Sequence, residues 1–234
     1  MEPLHAVRFP GESDDYRAAR DDLLNAEIAL RRQVEAVARQ RAALPLGGAV
    51  TADYAFEEWD ERTGAPRTVR LSELFADGKD TLFLYSFMIV PPSQDLPFVG
   101  PCPSCTSIID GLDGQMPHIA QRINVAVAAK APIERFRDHG QSRGWRHVHL
   151  LSAADTTYSV DYQAEDADGY QWPLATVFVR RDGRIHHFWS SELWFVPHDE
   201  DQGPRHVDFM WPMWAVLDRV PELRGDFQPS LDYS

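Results

Sequence analysis

Between residues 12 and 44 the chain contains no proline or glycine, and Leu23, Leu30, Val34 and Val37 recur at spacings of seven, four and three among arginines and acids. Such spacing gathers apolar side chains on one face of a 3.6-residue turn, which predicts a long amphipathic helix. Pro45, Gly47 and Gly48 end it, as residues that break helices do. A stripe that outruns the width of one domain predicts a homodimer through this helix. Packing of the helix on its own domain is the alternative.

Further along, the pattern predicts strands. Residues 54–58 and 67–71 flank a turn holding Gly64 and Pro66, which signals a β-hairpin. Ser72 is expected to cap a short helical turn ending near Asp77 and Gly78. The uncharged run 81–90, rich in aromatic and β-favouring side chains, predicts a central strand covered on both faces. A loop with Pro91, Pro92, Pro97, Gly100 and Pro101 then delivers the chain to Cys102-Pro103-Ser104-Cys105, and a helical pattern runs on to about Gln121. Residues 123–129 read as a buried strand, and 133–141 as a helix that starts at Pro132 and stops by Gly144. A third strand is expected over 147–151, and a polar loop with one helical turn over 152–169. Pro173 introduces a strand over 175–180, joined through Asp182-Gly183 to another over 185–189, since Asp-Gly between two such runs is a hairpin turn. Residues 209–220 predict a last helix with Trp211, Trp214 and Leu217 on one face and Pro212 in its first turn. Strands alternating with helices, then a hairpin, predict an α/β fold with a mixed sheet between helices. The expected organisation is a helical extension over 1–50 and one domain over 51–234.

Composition changes this picture little: of 234 residues 44% are hydrophobic and 25% charged, as in ordinary globular proteins. Charge changes it more. The net charge of −13 repels phosphate, which argues against nucleic acid and anionic membrane surfaces as partners. The longest apolar run, 82–92, is about half of the ~20 residues that span a bilayer. Residues 1–10 lack the basic and apolar regions of a secretory signal, so the expected location is the cytoplasm. Two cysteines in a chain of this length make no disulfide scaffold.

Their spacing carries the chemistry. A Cys-x-x-Cys pair between a buried strand and a helix places Cys102 at a helix N-terminus, where free N–H groups and the macrodipole favour a thiolate. Cys102 is therefore the candidate nucleophile. Cys105, one turn on, can resolve a mixed disulfide, and Pro103 fits a first turn, where its missing N–H costs nothing. A zinc site from Cys102, Cys105 and His118 is disfavoured by the length of helix separating His118 from the cysteines. Two buried cysteines that only pack are the inert alternative.

The order strand, CxxC helix, strand, helix, then Pro173, hairpin and helix resembles the thioredoxin-like fold. The segments 146–152, 158–160 and 177–183 are similar to its peroxiredoxin and reductase branch. More closely, the chain is similar to a bacterial family of unknown function, number 899. That similarity rests on 32–45, Tyr54-Ala55-Phe56-Glu57, Cys102-Pro103-Ser104-Cys105, Asp110-Gly111-Leu112-Asp113-Gly114 and 117–122, and spans roughly residues 20–190. The resemblance implies a thiol–disulfide oxidoreductase with a cis proline at 173 facing the cysteines. Cys102 and Cys105 would react, while Pro103, Ser104, Trp172 and Pro173 would shape a groove for a protein or small-molecule disulfide, with no cofactor. Val99 stands where peroxiredoxins carry threonine, and Leu174, Ala175 and Thr176 where they carry arginine, so a peroxidase ranks below exchange. A redox-inert binding protein on the same scaffold is the second reading.

Other groups point to chemistry more weakly. His147 with His149, and His186 with His187, are metal-ligand types, although strand histidines more often hydrogen-bond. Asp110 and Asp113 are placed as acid or base on the cysteine helix, or as parts of its Asp-Gly breaks. Trp189, Trp194, Trp211 and Trp214 would line a cleft or pack.

Overall fold

The structure is a computed structural model describing residues 4–200, 203 and 205–233. It falls into two units, Met1–Pro45 and Leu46–Ser234. The first holds α1 (Asp14–Ala42), 29 residues long. Its start follows from the cap at Ser13, whose hydroxyl accepts the Tyr16 N–H at 3.2 Å. Asp14 and Asp15 in the first turn and Arg39 and Arg41 in the last complement the helix dipole. The stripe of Leu23, Leu30, Val34 and Val37 is exposed.

The second unit runs β1 (Ala55–Asp60), β2 (Ala65–Arg70), β3 (Thr81–Phe87), β4 (Ile89–Val90), β5 (Gly100–Pro101), α2 (Pro103–Asp113) and α3 (Met116–Ile119). It continues with β6 (Asn124–Ala129), α4 (Ile133–Arg143), β7 (Leu150–Ser152), α5 (Tyr158–Asp161), β8 (Leu174–Arg181), β9 (Arg184–Ser190) and α6 (Pro212–Leu217). Seven strands form one sheet in the order β2-β1-β7-β6-β3-β8-β9. β3, β6 and β7 are parallel, with Tyr85 opposite Val127, whereas β8 is antiparallel to β3 and β9 to β8. Two helical crossovers among parallel strands, followed by an antiparallel hairpin and a helix, are the connectivity of the thioredoxin-like fold.

The period of two along β3 divides the core. Leu82 and Leu84 pack with Phe56, Tyr158 and Phe178 on one face. Tyr85 and Phe87 pack with Cys105, Ile109 and Phe136 on the other. Where the chain departs from expectation, a polar group is responsible. The strand expected over 81–90 is interrupted at Met88, whose carbonyl accepts the Cys102 N–H at 3.0 Å. The cysteine helix ends at Asp113 instead of Gln121, and the strand expected from 147 begins at Leu150. Asp113, the last residue of α2, accepts the N–H groups of Arg146, His147 and Val148 at 2.8–3.1 Å, which holds those residues out of the sheet. Ser72 lies inside a 3-10 turn, Leu71–Leu74, capped by Arg70, and its own hydroxyl donates to Asp53 at 2.8 Å. Among the described residues no helix is long and apolar enough to cross a membrane.

Candidate active site

β4 and β5 pair Ile89 with Pro101 and so aim the next residue, Cys102, at the start of α2. Cys102 is the N-cap, with extended backbone (φ −64°, ψ 124°), and its Sγ accepts the Cys105 N–H at 3.5 Å. Pro103 takes the first helical position and Ser104 the second. A hydrogen bond from the Cys105 thiol holds the Cys102 thiol below its usual pKa. The backbone N–H groups of Cys105 and Ser104 act in the same direction, against burial. Burial pushes Cys105 far the other way. The asymmetry thus has the direction expected at a helix N-terminus, and Cys102 is the more accessible of the two, at 6% against 1%, although both are buried free thiols.

The cover comes from the C-terminal segment. Val207, Trp211 and Trp214 belong to the same packed cluster as the two cysteines. Trp211 donates its indole N–H to Ser107 of α2 at 3.0 Å. α6 lies so close to α2 that a Cβ on Gly111 would stand 3.1 Å from Pro212. Of the tryptophans expected at a cleft or in packing, Trp211 and Trp214 therefore pack in the cluster that holds the dithiol and Trp189 against it, while Trp194 packs on Trp172 and His206.

The expectation of a cis bond before Pro173 is corrected: every described peptide bond is trans. A pair of glutamines fixes this stretch instead. Gln171 donates to the Ile89 carbonyl at 3.0 Å and accepts the Ile89 N–H at 3.1 Å. Gln94 does the same for the Gln171 backbone, at 3.0 and 3.2 Å. With the course of the chain set by these four bonds, the intrinsically favoured trans form is kept. The clamp ties the residue preceding Trp172 and Pro173 to β4, and through β5 to Cys102. Trp172 packs on Trp194, ring centroids 5.4 Å apart, and both Trp172 and Pro173 are half-buried.

Three site groups went unread in the sequence. The Tyr85 hydroxyl donates to Cys105 Sγ at 3.4 Å, and burial raises its pKa far enough to keep it a donor. Thr106 donates its hydroxyl to the Cys102 carbonyl at 2.9 Å, the i−4 back-bond open to any helical threonine. Because that proton is committed, His139 must donate its Nε2–H to Thr106 Oγ1, 3.0 Å away. Burial lowers the pKa of His139, which sits against Phe87 and Trp145 and stays neutral.

Most of the weaker candidates have partners of their own. Asp110 pairs with Arg143 at 2.5 Å and accepts the Trp145 indole N–H at 2.7 Å, while Asp113 caps the 146–148 loop. His118 lies on the separate helix α3. His149 hydrogen-bonds buried Glu58, which also pairs with Arg67. His186 contacts the Gly47 carbonyl at 3.2 Å and His187 the Ser190 hydroxyl at 2.9 Å. Among the described residues no group of three or more His, Cys, Asp or Glu is placed to hold a metal ion.

Residues 7–233 match the model of a bacterial protein family of unknown function, DUF899. No curated protein matches the chain. Among solved structures it is similar to the peroxidoxin BcpB of Mycobacterium tuberculosis, at 17% identity over 79% of this chain and 99% of that one, TM-score 0.42. It is also similar to a reduced 2-Cys peroxiredoxin of Plasmodium vivax (18%, 72% and 97%, TM-score 0.44). A third is the exposed lipoprotein thioredoxin Etrx1 of Streptococcus pneumoniae (12%, 69% and 99%, TM-score 0.41).

Proposed function

Because the chain belongs to the DUF899 family of bacterial proteins, whose description carries no activity, we propose from its own side chains that it is a thiol–disulfide oxidoreductase acting on small-molecule disulfides. The observation that carries this reading is the pairing of a low-pKa Cys102 at the N-cap of α2 with a buried, high-pKa Cys105. A nucleophile must be a thiolate at working pH, and a resolving thiol is best kept protonated until needed.

The Cys102 thiolate attacks one sulfur of the substrate disulfide, forming a mixed disulfide and expelling the other half as a thiolate. Cys105 then loses its proton and attacks Cys102 Sγ, releasing the second half as a thiol and leaving a Cys102–Cys105 disulfide. A thiol reductant returns two electrons and two protons. The C-terminal roof of Val207, Trp211 and Trp214 favours a small substrate over a folded protein. Pro103, Ser104, Trp172 and Pro173 supply walls of the binding site in this scheme.

Cys102→Ser abolishes reduction of a small aromatic disulfide, whereas Cys105→Ser performs one attack and accumulates the trapped adduct. Because Cys105 is buried in the core cluster, a hydroxyl there lowers stability more than one at Cys102, and circular dichroism of both variants accompanies the rates. Alkylation rates against pH on the two variants, with mass spectrometry of the adduct, give the measurement. The burial of both thiols is what favours the rival reading of an inert scaffold. Equal, slow alkylation with pKa values near ~8.5 for both thiols would decide for that rival.

A further inference from the structure

On the face of the sheet opposite the cysteines lies a cavity of about 660 Å³, within the range of small-molecule sites. It is open to solvent on one side and lined by three rings, Tyr54, Tyr162 and Phe195, together with the imidazole of His187. Tyr54 and Tyr162 stand edge to face with centroids 5.8 Å apart, and Tyr162 lies 5.9 Å from His187. Two carboxylates, Asp161 and Glu192, share the lining, and no lysine or arginine does among the described residues.

The polar groups are fixed in place. The hydroxyls of Tyr54 and Thr157 both donate to Asp161 Oδ2, at 2.8 and 2.7 Å, leaving Oδ1 for another donor. Ser190 donates to Thr176 at 3.2 Å, so its oxygen accepts the His187 Nε2–H at 2.9 Å and leaves Nδ1 as an acceptor. Burial lowers the His187 pKa, so the ring is neutral at pH 7. The cavity therefore presents the partly exposed rings of Tyr162 and Phe195, two carboxylates and acceptors, with no lysine or arginine in its wall among the described residues.

We propose that this cavity binds a small organic ammonium ion with an apolar body. Aromatic faces attract a cation through the ring quadrupole and accommodate carbon, and a carboxylate selects the ammonium charge. A hard metal ion is a poor occupant, because it needs a shell of oxygen donors where this cavity offers rings. An anionic ligand meets Asp161 and Glu192 without a partner charge.

Calorimetry of the full chain at pH 7.5 against phenethylammonium, the neutral 2-phenylethanol and the anionic phenylacetate tests this. The amine binds and the carboxylate does not. Glu192→Gln weakens the amine about fivefold, the loss of roughly one exposed charge contact, and leaves the alcohol unchanged. Tyr162→Leu weakens the amine by a similar factor through the lost ring face. Circular dichroism of both variants shows the native fold. The proposal is overturned if the alcohol binds as tightly as the amine, if no heat appears at about 10 mM ligand, or if neither folded variant changes amine affinity.

Discussion

In the proposed exchange, Tyr85 is the residue that would tune the resolving thiol. Its hydroxyl is the one side-chain donor to Cys105 Sγ among the hydrogen bonds described, and a thiolate formed at Cys105 during resolution leans on it. Tyr85→Phe removes about 1 kcal/mol of that support, so the resolving step slows about fivefold while alkylation of Cys102 keeps its rate. Stopped-flow decay of the mixed disulfide separates the two, and an unchanged decay would assign Tyr85 to packing alone. Cys102 and Cys105 were legible in the sequence because their geometry is local: three residues of spacing and one helix start fix it. Tyr85 and His139 were not, since their partners lie 20 and 33 residues away and only the register of the sheet and the packing of α4 bring them in. The glutamine clamp that replaces a cis proline joins residues 77 and 82 apart, beyond any local pattern.

At the scale of elements, α1 carries its own instruction for association. Its first half, residues 14–27, has five acids against two arginines, and its second half, 28–42, has four arginines against one glutamate. Tyr16, Leu23, Leu30 and Val37 recur every seven residues along it and are exposed. A second copy laid antiparallel sets the acidic half of each helix against the basic half of the other, over a shared apolar seam. Sedimentation of the full chain is therefore expected to give a dimer that weakens with added salt, and Leu30→Glu a monomer. A wild-type monomer at about 100 μM would remove this pairing. Elements with a punctuated sequence were legible nearly to the residue. Gly144 ends α4 in the left-handed conformation (φ 76°), and the turn between β8 and β9 takes positive φ at Asp182 and Gly183. The start of β7 is not legible in the same way, because Asp113 holds residues 146–148 through side-chain bonds that carry no periodic signal.

Across the whole molecule, the C-terminal roof is pinned by a histidine that acid should unseat. His206 accepts or donates at 3.1 Å to Ser191, packs on Trp194 and is buried enough to bring its pKa down to about 4, with Asp208 pulling weakly the other way. In an unfolded chain the same group titrates near ~6.5. The folded state thus binds fewer protons between those values, so stability is full above pH ~6.5 and falls as pH drops toward 4, by about 3 kcal/mol at most. Melting temperatures across that window should decline more steeply in the wild type than in His206→Gln. Equal slopes would assign the decline to carboxylates. The sheet also has two outer margins, each guarded in its own way. Pro66, Arg67 and Arg70 occupy β2, residue types that discourage a further strand. Along β9, Gly47 and Val50 donate to the carbonyls of His187 and Ile185, and His187 donates to Gly48. This seam runs so tightly that a Cβ at position 47 would stand 2.6 Å from the His187 oxygen. The absent methyl group at Gly47 therefore lets this segment take up the outward backbone groups of His187 and the carbonyl of Ile185, which are then not offered to a strand of another copy.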